Sequence, residues 1–200
     1  MYRYIEVIFC MNINLILRVV TFVLLIIWRV YWQIHRKEAD LKKPKTDNNH
    51  RITEQIFANI ATTYLVISLL GFIILPFDNL LGQLSGLALV ILGFIEGVIA
   101  RKTLDTNWTN SYEYQIKKDH ELITNGIYKY VRHPIYGGMF LMIPGVLMVA
   151  GSYTFIASII IMFLVFEVFA KREEKLLTKH FGKKYIEYKK TTKKFIPFVY

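Results

Sequence analysis

Long apolar runs separated by basic connections constrain this chain more than any other feature of its sequence. A helix rises about 1.5 Å per residue and needs about 20 apolar residues to cross the hydrocarbon of a bilayer. Pro76 should end the second run, and only Gly151 and Ser152 separate the last two, which predicts a tight helical hairpin. We therefore predict an all-α, polytopic membrane protein with about five transmembrane helices. These lie at residues 12–32, 56–75, 80–100, 134–150 and 153–170.

The composition of the chain agrees with a membrane protein. Of its 200 residues, 54% are hydrophobic, yet 20% are charged and the net charge is +10. Charged and apolar residues must therefore be segregated along the chain, as in membrane proteins with basic loops. A basic balance can also indicate nucleic-acid binding. Here the lysines flank apolar runs and no nucleic-acid motif is present, so we predict membrane lipids as surroundings and no nucleic acid as a partner.

The lysine and arginine residues predict the orientation of the chain in the membrane. Residues 33–55 and 101–132 carry six each, the tail from residue 171 carries ten, and the two hairpin turns carry none. Because basic residues concentrate in cytoplasmic connections, the N-terminus should lie outside and the C-terminus in the cytoplasm. The membrane would be the plasma or inner membrane of a prokaryote, or the endoplasmic reticulum of a eukaryote.

The distribution of apolar and polar segments divides the chain into two regions. We predict an N-terminal three-helix membrane region at 1–100. Residues 101–200 form a second region, with the candidate functional residues, a membrane hairpin and an amphipathic basic tail. The single cysteine, Cys10, allows no disulfide within the chain and no cysteine-based metal site, and we predict no metal.

One polar segment lies directly against an apolar run, GIYKYVRHPIYGG at residues 126–138. Pro134 suits the first turn of a helix, whose free backbone amides can receive an anionic group. Arg132 and His133 stand beside that helix start, and Tyr128 and Tyr136 supply aromatic faces and hydroxyl groups. This pattern fits a small-ligand site, and it fits equally a belt of interfacial residues at the membrane surface.

A second polar segment, KREEKLLTKHFGKKYIEYKKTTKKFIPF, follows the last apolar run. Its leucines give a helix an apolar face, and Gly182 is a good helix stop. The carboxylates of Glu173 and Glu174 can close over the same cytoplasmic mouth as Arg132 and His133. The alternative is an ordinary solvated helix with paired charges.

The two segments in this order resemble the isoprenylcysteine carboxyl methyltransferase family and its wider relatives, the membrane phospholipid methyltransferases. The resemblance covers roughly residues 105–198 and implies a multispanning enzyme that uses S-adenosylmethionine, with S-adenosylhomocysteine as its product. DHELI at 119–123, the tyrosine after Gly126, the HPIY element and the first acid of the EE pair match the family's cofactor contacts. The implied cofactor-binding residues are Gln115, His120, Leu122, Ile123, Tyr128, His133, Pro134, Ile135, Tyr136 and Glu173.

The substrate side departs from the family pattern. Phe169 occupies the register of the family's substrate-facing arginine, and Arg172 is the nearest arginine, so we predict Arg172 and Arg132 as the catalytic cations. The resemblance implies a lipophilic small-molecule or prenylated acceptor. A carboxylate acceptor is already ionised at neutral pH and needs no strong base.

Three alternatives remain open from the sequence. The first is a phospholipid N-methyltransferase. The second is an NADPH-dependent sterol-type reductase, since these enzymes carry a loosely similar RHPxY pattern, although they are typically longer. The third is a noncatalytic membrane protein. The sequence does not determine the oligomeric state.

Overall fold

The computed structural model describes residues 2–40, 48–107 and 121–197, and in this part of the chain the fold is all-α. Two isolated β-bridges are the only strand-like pairings in these ranges. Short 3-10 helices at Asp105–Asn107 and Gly126–Lys129 accompany six α-helices. The α-helices are α1 (Tyr2–Asp40), α2 (Asn48–Leu69), α3 (Leu80–Leu104), α4 (Pro134–Ala150), α5 (Thr154–Phe181) and α6 (Lys183–Thr191).

The helices carry the apolar surface of an integral membrane protein. Three segments are long and apolar enough to cross a bilayer, namely Asn12–His35 of α1, and α3 and α5; Ala58–Leu69 and α4 are shorter apolar helices. Many large apolar side chains on α1, α3 and α5 remain exposed, as expected for a surface that faces lipid. Each of the five predicted apolar runs overlaps a helix over most of its length, which agrees with the polytopic class, while the count of five spans stays a prediction.

The second predicted run is wrong at its C-terminal end. Helix α2 ends at Leu69, and Pro76 lies beyond it in an irregular connection. Gly71 has φ 102° and Leu75 has φ 52°, so the backbone leaves the helical region well before the proline.

Helix α5 is longer than its predicted apolar run. It continues without interruption from the apolar segment into the charged one and ends at Phe181, where Gly182 has φ 56°. A change from apolar to charged side chains does not by itself interrupt a helix. The Glu173–Glu174 pair is therefore positioned by a rigid helix that also packs in the apolar core.

A seam of glycines brings α3 and α4 into backbone contact. A Cβ added to Gly138 would stand 2.6 Å from the carbonyl oxygen of Gly93, and one added to Gly86 would stand 2.7 Å from that of Gly145. Both distances are shorter than real carbon–oxygen contacts allow. Small residues at such a seam let two membrane helices approach closely, and the seam fixes α4 against α3.

The predicted hairpin between α4 and α5 is confirmed, and a membrane arginine caps it. Gly151 ends α4 in the left-handed conformation with φ 77°, and α5 begins at Thr154. The Arg18 side chain of α1 donates from Nη2 to the carbonyl oxygen of Ala150 at 2.9 Å. The last carbonyls of a helix have no partner within it, so this bond satisfies one of them and accounts for an arginine inside the first apolar run.

Candidate functional site

The candidate site lies at the start of α4, where two segments distant in sequence meet. The segment 131–133 runs alongside the segment 193–194 near the C-terminus. The Arg132 amide donates to the Lys193 carbonyl at 2.9 Å, and the His133 amide donates to the Lys194 carbonyl at 3.0 Å. This pairing places the tail of the chain beside the RHP element.

Glu174 is the centre of a buried ionic cluster at this point. Its side chain is only 7% exposed, and its two oxygens face three cationic groups from separate parts of the chain. Arg132 Nε donates to Oε1 at 2.8 Å, and Lys189 Nζ of α6 lies 2.7 Å from Oε2. His133 Nε2 lies 3.4 Å from Oε1. Because a buried charge is costly unless it is paired, the cluster ties the start of α4, α5 and α6 together.

Arg132 also bonds to the C-terminal end of α6. Its Nη1 donates to the carbonyl oxygen of Thr192 and, at 3.3 Å, to that of Lys189. The Arg132 side chain is 9% exposed. These contacts hold the start of α4 against the end of α6, which is a structural role for Arg132. Contact between Arg132 and an acceptor stays a prediction.

His133 connects the two acidic residues. Its Nδ1 lies 3.4 Å from Glu173 Oε2 while its Nε2 faces Glu174, so both ring nitrogens can donate to carboxylates. Burial lowers the pKa of His133, but the hydrogen bonds and charges of Glu173 and Glu174 outweigh burial and raise that pKa above its ordinary value of 6.5. The raised pKa widens the pH range over which the ring is protonated.

Tyr136 extends the cluster toward the apolar core. Its hydroxyl donates to Glu173 Oε2 at 3.2 Å, and its ring stacks between those of His133 and Phe166, with centroids 5.5 Å and 5.2 Å away. Glu173 itself is the more accessible acid, with 39% of its side chain exposed. Glu173 is therefore a partly open carboxylate held by the Tyr136 hydroxyl and the His133 ring.

Tyr128 lies under the same region and is buried. The Tyr188 hydroxyl of α6 donates to the Tyr128 carbonyl at 2.7 Å, which joins the short helix before the RHP element to α6. Burial, reinforced by the charge of Glu173, raises the pKa of the Tyr128 hydroxyl well above its usual range. The group is therefore a neutral phenol at physiological pH.

The structure brings together a large part of the predicted set and leaves some residues apart. His133 and Tyr136 both contact Glu173, Arg132 is linked to them through Glu174, and Pro134 is the buried first residue of α4. Leu122, Ile123 and Ile135 are half-buried and Arg172 is exposed on α5; Gln115 and His120 lie outside the described residues.

Three contributors to the cluster were not predicted as site residues, namely Glu174, Lys189 and Thr192. The sequence singles out the acidic pair that contains Glu174. Only the orientation of the helix shows that Glu174 faces inward while Glu173 stays accessible. No pattern in the sequence signals the other two, because they act through contacts between distant segments.

A methyl donor of the S-adenosylmethionine type suits the chemistry of these side chains. The molecule carries an ammonium group, a carboxylate, ribose hydroxyls and an aromatic base. Glu173 can accept hydrogen bonds from ammonium or hydroxyl groups, and His133 and the tyrosines offer cationic, aromatic and hydroxyl partners. The described residues contain no group of three or more His, Cys, Asp and Glu side chains that could hold a metal ion.

Comparison with known proteins identifies the family. The family model described as phospholipid methyltransferase matches residues 81–184, which is more than half of the chain and includes α3, the RHP element, α4 and α5. The chain belongs to the phospholipid methyltransferase family.

Within this family, the curated relatives it matches are isoprenylcysteine methyltransferases. The protein-S-isoprenylcysteine O-methyltransferase of Schizosaccharomyces pombe is 38% identical over 85 residues, covering 41% of this chain and 35% of the relative. Protein-S-isoprenylcysteine O-methyltransferase B of Arabidopsis thaliana is 30% identical over 115 residues, covering 57% and 58%. The human enzyme of the same name is 28% identical over 118 residues, covering 58% and 42%. These matches span between about a third and three fifths of the relatives' own length.

A solved structure shares the fold of this family member. The eukaryotic intramembrane Ras methyltransferase, an isoprenylcysteine carboxyl methyltransferase, superposes with a TM-score of 0.67 at 22% sequence identity. The superposition covers 93% of this chain and 68% of that structure. The similarity supports an intramembrane helical architecture for the chain.

Proposed function

We propose that this family member is an S-adenosylmethionine-dependent methyltransferase that methylates the carboxylate of a lipophilic acceptor of the isoprenylcysteine type. The observation that carries the proposal is the cluster at the start of α4, where Glu173, His133 and Tyr136 are held in mutual contact. The names of the curated relatives support the same activity and acceptor class.

The cluster suits a reaction that needs positioning more than proton transfer. S-adenosylmethionine, when bound, would supply an electrophilic methyl carbon to which a carboxylate oxygen can bond as the carbon–sulfur bond breaks and S-adenosylhomocysteine leaves. Glu173 and His133 would hold the donor from the side of α4 and α5. The ionic contacts of Glu174 keep that pair of helices at a fixed separation, so orientation and exclusion of water are the protein's main contributions.

We infer that the cluster faces the cytoplasm and that the acceptor arrives from the bilayer. The ten basic residues after residue 170 support this orientation. The apolar core next to the site, built from Tyr136, Phe166 and Phe195, supports an approach from the lipid side. A water-soluble donor and a lipophilic acceptor could meet at this boundary.

A phospholipid N-methyltransferase is the second candidate, and two observations favour it. Phe169, in the register where the family resemblance implies a carboxylate-binding arginine, packs against the apolar cluster that contains Tyr136. In addition, the Glu96 carboxylate of α3 lies against Gly137, since a Cβ on Gly137 would stand 2.8 Å from Glu96 Oε1. A carboxylate one residue from Tyr136 suits an amine acceptor better than an anionic one.

A transfer assay separates the two candidates. Radiolabelled methyl from S-adenosylmethionine is offered to a prenylcysteine analogue and to phosphatidylethanolamine, and the products are treated with mild base. A carboxyl methyl ester loses its label in base, whereas an N-methyl product keeps it. We expect base-labile label on the prenylcysteine analogue. Base-stable label on the phospholipid alone would reject the carboxyl reaction and select the second candidate.

A further inference from the structure

A basic cleft lies beside the ionic cluster, on the side of α5 that faces α6. It has a volume of about 280 Å³ and is lined by Lys171, Glu174, Lys175, Thr178 and Lys189. Lys171 and Lys175 are one helical turn apart on α5, and Lys189 approaches from α6. Three ammonium groups therefore surround one cavity.

The cleft keeps a positive charge although a carboxylate forms part of its wall. Glu174 is neutralised from behind by Arg132 at 2.8 Å and by His133, as well as by Lys189. Glu167, which Lys171 contacts at 3.2 Å, also receives two hydrogen bonds from Lys194 at 2.8 and 2.9 Å. Together with these partners, five lysine and arginine side chains surround the cleft and its two neighbouring carboxylates, Glu167 and Glu174, namely Arg132, Lys171, Lys175, Lys189 and Lys194.

The position of the cleft along α5 indicates the source of its ligand. The apolar run of the helix ends at Ala170, and Lys171 follows immediately. The cleft therefore begins where α5 leaves its apolar segment, at the depth at which lipid headgroups lie. Basic pockets at helix ends on this side of a membrane suit phosphate-containing headgroups.

The hydrogen-bonding groups of the cleft suit an acceptor-only ligand. Lysine ammonium groups donate and cannot accept. The Thr178 hydroxyl already donates to the Glu174 carbonyl at 2.6 Å, so it forms part of the wall and does not compete for the ligand. A phosphate group offers oxygen acceptors in several directions. An ammonium group has three N–H donors, so Lys171 and Lys189 can donate to a phosphate while they stay paired with Glu167 and Glu174.

We propose that this cleft binds the phosphate group of an anionic membrane lipid. The site is separate from the methyl-transfer chemistry, but it shares Glu174 and Lys189 with the ionic cluster. Bound lipid would hold α5 and α6 together from the membrane side.

The test uses the full chain in a zwitterionic detergent and measures binding by calorimetry. The ligands are short-chain phosphatidic acid, phosphatidylcholine with the same chains, and inorganic phosphate. The variants are Lys175→Gln, in the cleft, and Lys184→Gln, which removes the same charge from an exposed position on α6. Thermal melting of each variant verifies that it is folded.

We expect phosphatidic acid to bind more tightly than both other ligands. Lys175→Gln should weaken that binding about fivefold, which corresponds to ~1 kcal/mol per surface lysine, and Lys184→Gln should leave it unchanged. Equal losses in the two variants, or equal binding of phosphatidylcholine, would overturn the site. Binding of inorganic phosphate as tight as that of phosphatidic acid would overturn the lipid assignment. The readout needs no methyl donor, so its failure is distinct from failure of the proposed function.

Discussion

Replacing Glu174 with glutamine tests the ionic cluster that joins the site to the fold. The substitution keeps the shape of the side chain and removes its charge. Arg132, whose side chain is only 9% exposed, then loses its carboxylate partner, whereas His133 keeps Glu173 and the more exposed Lys189 can be solvated. Removing one partner of a buried pair typically costs about 3–5 kcal/mol, because the remaining charge is left uncompensated.

For a chain of this size, 1 kcal/mol changes the midpoint of thermal unfolding by roughly 2–4 °C. Glu174→Gln should therefore lower the melting temperature of the purified protein in detergent by about 6–20 °C. The matched control is Glu173→Gln on the neighbouring residue, whose side chain is 39% exposed. Its ion pair should contribute only about 0–1 kcal/mol, equivalent to less than about 4 °C. If the two variants melt at the same temperature, Glu174 does not have the structural role we assign to it.

Three further predictions follow from the pH dependence, the packing and the orientation of the chain. Because the pKa of His133 is raised, its ionic stabilisation is complete below about pH 6.5 and is lost as pH rises through the raised value. The melting temperature should therefore fall over that range in the native protein and not in His133→Gln. Equal slopes in the two proteins would contradict this. Gly93→Val forces a side chain into the Gly138 backbone. Since overpacking costs about 1–3 kcal/mol, the variant should melt several degrees lower in a thermal-shift assay. An unchanged midpoint would show that α3 and α4 can separate freely. In a single-cysteine background, cysteines at the exposed positions Asp78 and Lys184 should react with an impermeant reagent from opposite sides of the membrane, the first from outside; labelling from one side would reject the orientation.

The helices could be predicted from the sequence because each rests on a local pattern. The apolar runs locate α3, α4 and α5, Pro134 marks the first turn of α4, and Gly182 marks the end of α5. The end of α2 could not be predicted in the same way. The helix ends two residues before Gly71, which has a positive φ, and the connection that follows also holds Leu75 at a positive φ, which leucine does not favour.

The acidic pair shows where sequence reasoning about the site stops. Adjacent residues on a helix point about 100° apart, so Glu173 and Glu174 face different directions, and the sequence does not say which of them faces the interior. The structure buries Glu174 and leaves Glu173 accessible. The partners Lys189 and Thr192 are contributed by a tail whose pairing with residues 131–133 depends on long-range contacts and on no local motif.

The central claim, that the RHP element and Glu173 form a methyl-donor site, is tested most directly by calorimetric titration with S-adenosylhomocysteine and, in parallel, with NADPH. The account predicts that the native protein binds S-adenosylhomocysteine and not NADPH. Glu173→Gln should bind about tenfold or more weakly, since it loses a charge-assisted hydrogen bond of roughly 1.5–3 kcal/mol, and Lys184→Gln should bind as the native protein does. Binding of NADPH in place of S-adenosylhomocysteine, or undiminished binding by folded Glu173→Gln, would contradict the account.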